Sequence, residues 1–183
     1  MSTETNKRIS VRDMAYIAVF AVLLAVCSWI SIPTTIPFTL QTFGVFLTVG
    51  LLGGRRGTIA VLLFILMAAV GIPVLSGFTG GIGVLLGSTG GYILGFVFSA
   101  LLLWGIEHFF GKELWKLGIG MVLGLLICYA FGTAWFVAVY TRTESAIGLA
   151  TAIAWCVLPY IIPDLIKIAL ALFLTSYLRR YIK

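Results

Sequence analysis

The placement of charge constrains this chain more than any other feature. Of its 12 Lys and Arg residues, ten are Lys7, Arg8, Arg12, Arg55, Arg56, Lys112, Lys116, Arg179, Arg180 and Lys183, and the other two are Arg142 and Lys167. Between these groups lie apolar stretches that predict membrane spans at about 13–30, 39–53, 58–71, 92–106, 117–139 and 160–178. A helix needs roughly 20 apolar residues to cross a bilayer, and the second stretch is short for that. With 61% hydrophobic and 10% charged residues, a soluble domain is excluded. The expected fold is an all-α integral membrane protein, one transmembrane domain over residues 1–183 built as a six-transmembrane-helix bundle. If successive loops alternate sides, the ten grouped basic residues fall on one side and Arg142 on the other. The positive-inside rule makes the basic side, with both termini, cytoplasmic. The net charge of +6 therefore describes topology in a lipid bilayer and does not point to nucleic acid.

Three connections on the outer side do not read as plain helix: the Pro/Thr segment 31–38, the glycine-rich segment 72–91 and the segment 140–163. The run 146–178 would be roughly 50 Å long as one helix, so its part up to Leu158 is expected to break away as a lid or interfacial segment. Leu24-Ala25-Val26-Cys27 superficially resembles a lipoprotein cleavage site, but Val26 is not the small residue such a site requires, and an uncleaved helix is expected.

Asp164 and Lys167 stand inside the last span. Lys167 would lie roughly 18 Å along the helix from Arg179, a costly depth for a charge. Three residues apart, the two share a helix face. Pro163 is expected in the first turn, with Pro159 limiting helix upstream. Such charges either neutralise one another so that the helix can insert, or face a cavity and address a ligand. The three outer segments converge above them, so outer-side loops capping a binding cavity are expected. Gln41 either bridges helices or presents an amide to that cavity. Gly87-Ser88-Thr89-Gly90-Gly91-Tyr92 either packs helices closely or offers backbone and hydroxyl groups. Tyr92, Trp135, Trp155 and Tyr160 are candidates for apolar walls or interfacial anchors. The ligand that suits this set is small and mostly apolar, with amide-like groups and a carboxylate.

Catalytic chemistry has no candidates. His108 sits at the cytoplasmic link, and Cys27, Cys128 and Cys156 lie in separate apolar segments without metal-ligand spacing. No enzyme activity, metal site or cofactor is expected, and no Gly-Lys-Ser/Thr phosphate loop is present. On the first span, Ala15, Ala18, Ala21 and Ala25 form a stripe of small residues. It serves either internal packing or the docking of a second membrane protein.

Four motifs together carry a family resemblance. They are Ile36-Pro37-Phe38-Thr39-Leu40-Gln41-Thr42-Phe43, Gly53-Gly54-Arg55-Arg56-Gly57, Gly87 to Tyr92, and Pro159-Tyr160 through Pro163-Asp164 to Lys167. Over essentially its whole length the chain resembles the BioY family, biotin-specific substrate-binding (S) components of energy-coupling factor (ECF) vitamin transporters, with Ser88 where the family commonly has proline. The resemblance implies a six-helix subunit of an ABC-type importer that binds biotin with high affinity on the outer side. Its implied partners are a separate membrane coupling subunit and two ATPases. Binding residues would map to Asp164, Lys167, Gln41 and the loop from Thr89 to Tyr92, including Gly91, with Tyr160 in the cavity wall; the alanine stripe would meet the coupling subunit. A stand-alone carrier of biotin or another small vitamin is the alternative.

Overall fold

The structure is a computed structural model that describes residues 10–34, 37–143 and 147–181. Lys7, Arg8, Ile36 and Lys183, which enter the charge count or a motif, lie outside the described residues. The elements in order are α1 (Val11–Trp29), β1 (Ser31–Ile32), β2 (Phe38–Thr39), α2 (Gln41–Leu52), α3 (Gly54–Ala69), a 3-10 turn (Ser76–Phe78), α4 (Ile82–Leu85), α5 (Gly90–Phe110), α6 (Leu114–Thr143), α7 (Leu149–Cys156) and α8 (Leu158–Leu178). Four of these helices, α1, α5, α6 and α8, are long and apolar enough to cross a membrane, and α2 is a shorter apolar helix.

Helix α2 is the centre of the bundle. Ten of its 12 residues are buried, and it packs against α1, α3, α5 and α8. At roughly 18 Å it is too short to cross about 30 Å of hydrocarbon, so its first residue, Gln41, starts inside the bundle. The chain reaches that depth through a hairpin, β1 pairing antiparallel with β2, in the Pro/Thr segment expected not to be helical. Backbone groups that enter a bundle must be paired, and the short ladder does part of that work.

One end of the bundle collects the basic residues. Ser10 and Asp13 cap α1 reciprocally, and Asp13 meets Arg56 of α3 at 3.1 Å. The turn between α2 and α3 passes through Gly53 at φ +81°, a conformation glycine adopts without strain. Helix α5 continues to Phe110, so Glu107 and His108 belong to its last turn and His108 does not stand in the link itself. The Glu107 carboxylate accepts from the backbone N–H of Gly54, satisfying an orphan donor at the start of α3. Arg179, after α8, donates to the carbonyl of Lys112 at 2.7 Å. The opposite end carries the hairpin, residues 72–89 and α7.

Two sequence expectations require correction. Helix α8 begins at Leu158, with Pro159 in its first turn and Pro163 inside the helix. Pro159 is compatible with a helix start, whereas Pro163 forgoes the bond to the carbonyl four residues earlier, a loss confined to the second turn. Asp164 therefore sits well over a turn into the helix, not at its mouth. The break falls at Val157, which detaches α7 as a separate short helix. The second correction concerns α1: Ala21 and Ala25 are buried in the core, while Ala15 and Ala18 are exposed. By helical spacing the four share one face, so what separates them is position along α1: the bundle covers that face over the later half of the helix and not over its first two turns.

Candidate functional site

Between the hairpin, α5, α6, α7 and α8 lies a cavity of about 80 Å³, several times what a single water occupies. Its wall includes Thr39, Gln41, Thr89, Tyr92, Tyr160, Asp164 and Lys167. Thus six of the seven residues expected to bind ligand come together at one place. Gly91 is the exception. It is buried on α5, and a Cβ there would run into the side chain of Trp135; its role is close α5–α6 packing. Trp135 itself does not line the cavity but donates from Nε1 to the carbonyl of Gly87 at 3.0 Å, pinning the loop. Trp155 is about half exposed on α7.

Asp164 and Lys167 are 2.8 Å apart with side chains 5% and 6% exposed. They are not satisfied by each other alone. Lys167 Nζ also donates to the carbonyl of Thr39 at 2.7 Å and stands 4.0 Å over the ring of Phe38. Tyr129 donates its hydroxyl to Asp164 Oδ2 at 2.5 Å. An ammonium has three donors, so one hydrogen of Lys167 is left after these two bonds, and the carboxylate retains acceptor sites on both oxygens. Beside them, Gln41 Oε1 accepts from Thr39 Oγ1 at 3.2 Å, while Gln41 Nε2 is buried without a partner among the described residues. A buried amide donor facing a cavity is costly to leave unpaired, and this one is available to an acceptor on a ligand.

Much of the remaining wall is apolar or weakly polar, with Ile93, Phe96, Leu125, Cys128 and Cys156, and Thr42 adds a hydroxyl. The Tyr92 hydroxyl is 2.9 Å from Thr133 Oγ1, and Phe38 stacks on Tyr160 with centroids 6.1 Å apart. Tyr160 also meets Thr34 Oγ1 at 3.0 Å, which ties the connection after β1 to the first turn of α8. Segment 72–81 is held to α1 by Trp29, whose Nε1 donates to the carbonyl of Pro73 at 2.9 Å and whose ring stacks on Phe78. Ser76 of that segment reaches the cavity wall.

Sequence reasoning missed Tyr129, Thr39, Cys128 and Cys156. Tyr129 had a usable signal, since a phenol in the middle of a long apolar span needs a hydrogen-bond partner. The cysteines had none. All three in the chain are free and buried, as small apolar residues would be, but only the packing decides that Cys128 and Cys156 face the cavity.

The BioY family profile matches residues 1–183. The chain belongs to the BioY family. Among curated relatives, it is 36% identical over 170 residues to the biotin transporter BioY of Thermotoga maritima, covering 92% of this chain and 96% of that one. It is 36% identical over 169 residues to the biotin transporter BioY of Rhodobacter capsulatus, covering 86% and 87%. Among solved structures it is similar to the S-component for biotin from an ECF-type ABC transporter, with a TM-score of 0.81 and 27% identity over 93% of this chain and 92% of that one. Within this BioY-family fold, the cavity joins one buried acid, one buried base and one unsatisfied amide inside a mostly apolar enclosure, the composition of a site for a small amphipathic molecule.

Proposed function

We propose that this chain is the high-affinity biotin-binding membrane subunit of an ECF-type importer. The observation that carries the reading is the cavity at Asp164, Lys167 and Gln41. Biotin presents ureido N–H donors, a ureido carbonyl, an apolar bicyclic body and a carboxylate. Asp164 accepts from the ureido donors, Lys167 donates to a ligand oxygen, Gln41 Nε2 supplies the second donor, and Tyr92, Phe96 and Tyr160 enclose the apolar body. Tyr129 positions Asp164 for this task. Membership of a biotin-transporter family and the likeness to a biotin S-component support the ligand assignment.

In this reading the bundle lies in the cytoplasmic membrane as six helical segments, α1, α2, α3, α5, α6 and α8, the short α2 completing its crossing together with the hairpin that leads into it, with both termini cytoplasmic and the hairpin end outward. Clustering of Arg12, Arg55, Arg56, Lys112, Lys116, Arg179 and Arg180 at the other end supports that orientation. The chain carries biotin inward with a separate coupling subunit and two ATPases, and hydrolysis takes place in those partners. Ala15 and Ala18, exposed on α1, are the docking positions that remain from the alanine stripe.

Calorimetric titration of the purified chain with biotin and with other small vitamins tests the ligand. Heat with biotin alone is expected, and Gln41→Leu should weaken binding about five-fold or more, the loss of one well-placed hydrogen bond. Absence of binding in the wild type would sink the assignment. Vesicles containing only this chain are expected not to accumulate biotin; uptake without partners or ATP would favour the stand-alone carrier.

A further inference from the structure

The lipid-facing surface has a second concavity, separate from the ligand cavity. It is an apolar groove of about 480 Å³ between α6 and α8, formed by Trp115, Gly118, Ile119 and Val122 with Ile168 and Leu172. Gly118 lets α8 come close: a Cβ there would stand 3.2 Å from Leu172 Cδ1. Along α6 the groove runs from Leu114 to Leu123, a rise of roughly 14 Å. That is about half of the ~30 Å hydrocarbon layer, hence one leaflet. A transmembrane helix from a partner would need the groove to continue through both leaflets; an acyl chain would not.

The end of the groove is charged. On α8, Arg179 continues the face of Ile168 and Leu172 by helical spacing, and it is fixed by its bond to the carbonyl of Lys112. On α6, Lys116 lies seven residues before the groove residue Leu123, on the same face, and donates to the carbonyl of Phe110 at 2.8 Å. Lys112 and Arg180 flank them. Two acids are nearby: Glu107, paired with Lys112 at 2.8 Å, and Glu113, paired with Lys116 at 3.0 Å. Four cations against two carboxylates leave an excess of positive charge at the mouth of a one-leaflet apolar channel.

We propose that this groove is a binding site for one anionic phospholipid, with an acyl chain along Gly118 and Leu172 and the headgroup phosphate at Lys116 and Arg179. Basic residues at the end of an interhelical groove suit an anionic headgroup, and the apolar channel suits the chain attached to it.

The test uses the full chain, purified in detergent and delipidated, in native mass spectrometry. Phosphatidylglycerol is compared with phosphatidylcholine of the same acyl chains, and with glycerophosphoglycerol, the headgroup alone. The wild type is expected to retain phosphatidylglycerol about five-fold or more over phosphatidylcholine, the order expected of a basic group near an anionic headgroup. Glycerophosphoglycerol is expected neither to bind nor to compete. Lys116→Gln/Arg179→Gln should bring phosphatidylglycerol down to the phosphatidylcholine level, and Val122→Trp should lower both by filling the channel. Biotin affinity, read in parallel, reports that the variants are folded; if one is not, the wild-type comparison decides alone. Equal retention of the two lipids, a preference that survives the double variant, or binding of the headgroup without its chains would overturn the site.

Discussion

Two ion pairs in this chain have the same N···O separation, 2.8 Å, and opposite meanings. Lys112–Glu107 lies at the basic end with the lysine side chain 70% exposed; Asp164–Lys167 lies inside the bundle, 5% and 6% exposed. The exposed pair gains little, because water already solvates the ammonium and screens the attraction. The enclosed pair has lost that solvation, and it is tolerated only because Tyr129 and the Thr39 carbonyl complete its bonding. Distance alone therefore says nothing about what a pair does. Solvation and the bonds left over decide that.

The contrast can be broken most forcefully at the enclosed pair. Removing one partner, Lys167→Ala or Asp164→Asn, should weaken biotin binding about ten-fold or more, read by calorimetry, since an unpaired charge or a lost acceptor remains in the cavity. Unchanged affinity in both variants would abolish the distinction drawn here. Lys167→Ala should also lower stability by about 3–5 kcal/mol, the usual consequence of orphaning a buried charge; a thermal melt in detergent checks this.

Tyr129→Phe sharpens the comparison by leaving the charges in place and removing the hydroxyl that holds Asp164 Oδ2. The expected loss is about 1–2 kcal/mol, or roughly five- to thirty-fold in biotin affinity. An affinity equal to wild type would mean that the carboxylate is positioned without the phenol.

Gly91→Ala separates packing from ligand contact. Overpacking against Trp135 should destabilise the fold by about 1–3 kcal/mol, visible as a lower melting temperature. Folded Gly91→Ala protein should bind biotin within a few-fold of wild type; a complete loss with an unchanged melt would return Gly91 to the binding set.

The smallest effect is expected at the exposed pair. Lys112→Ala should change stability by about 1 kcal/mol or less and leave biotin affinity untouched. A loss comparable with that of Lys167→Ala would show that the two ends of the bundle are coupled.

Much of this was legible in the amino-acid order. Apolar stretches and the distribution of Arg55, Arg56, Lys112, Lys116, Arg179 and Arg180 are one-dimensional facts, because lipid demands a minimum length of apolar helix and basic residues sort by side. The pair at Asp164 and Lys167 was legible for a similar reason: charge within hydrocarbon-like sequence calls for a purpose. Tertiary structure alone decided the rest. That Cys128 and Cys156 face the cavity and that Gly91 faces Trp135 depends on which side of each helix its neighbours occupy, and that Ala21 and Ala25 are covered while Ala15 and Ala18 are not depends on how far along α1 those neighbours reach. A residue's type sets what it can bond, but its rotation about the helix axis, set by packing between distant segments, determines whether a ligand, lipid or another helix meets it.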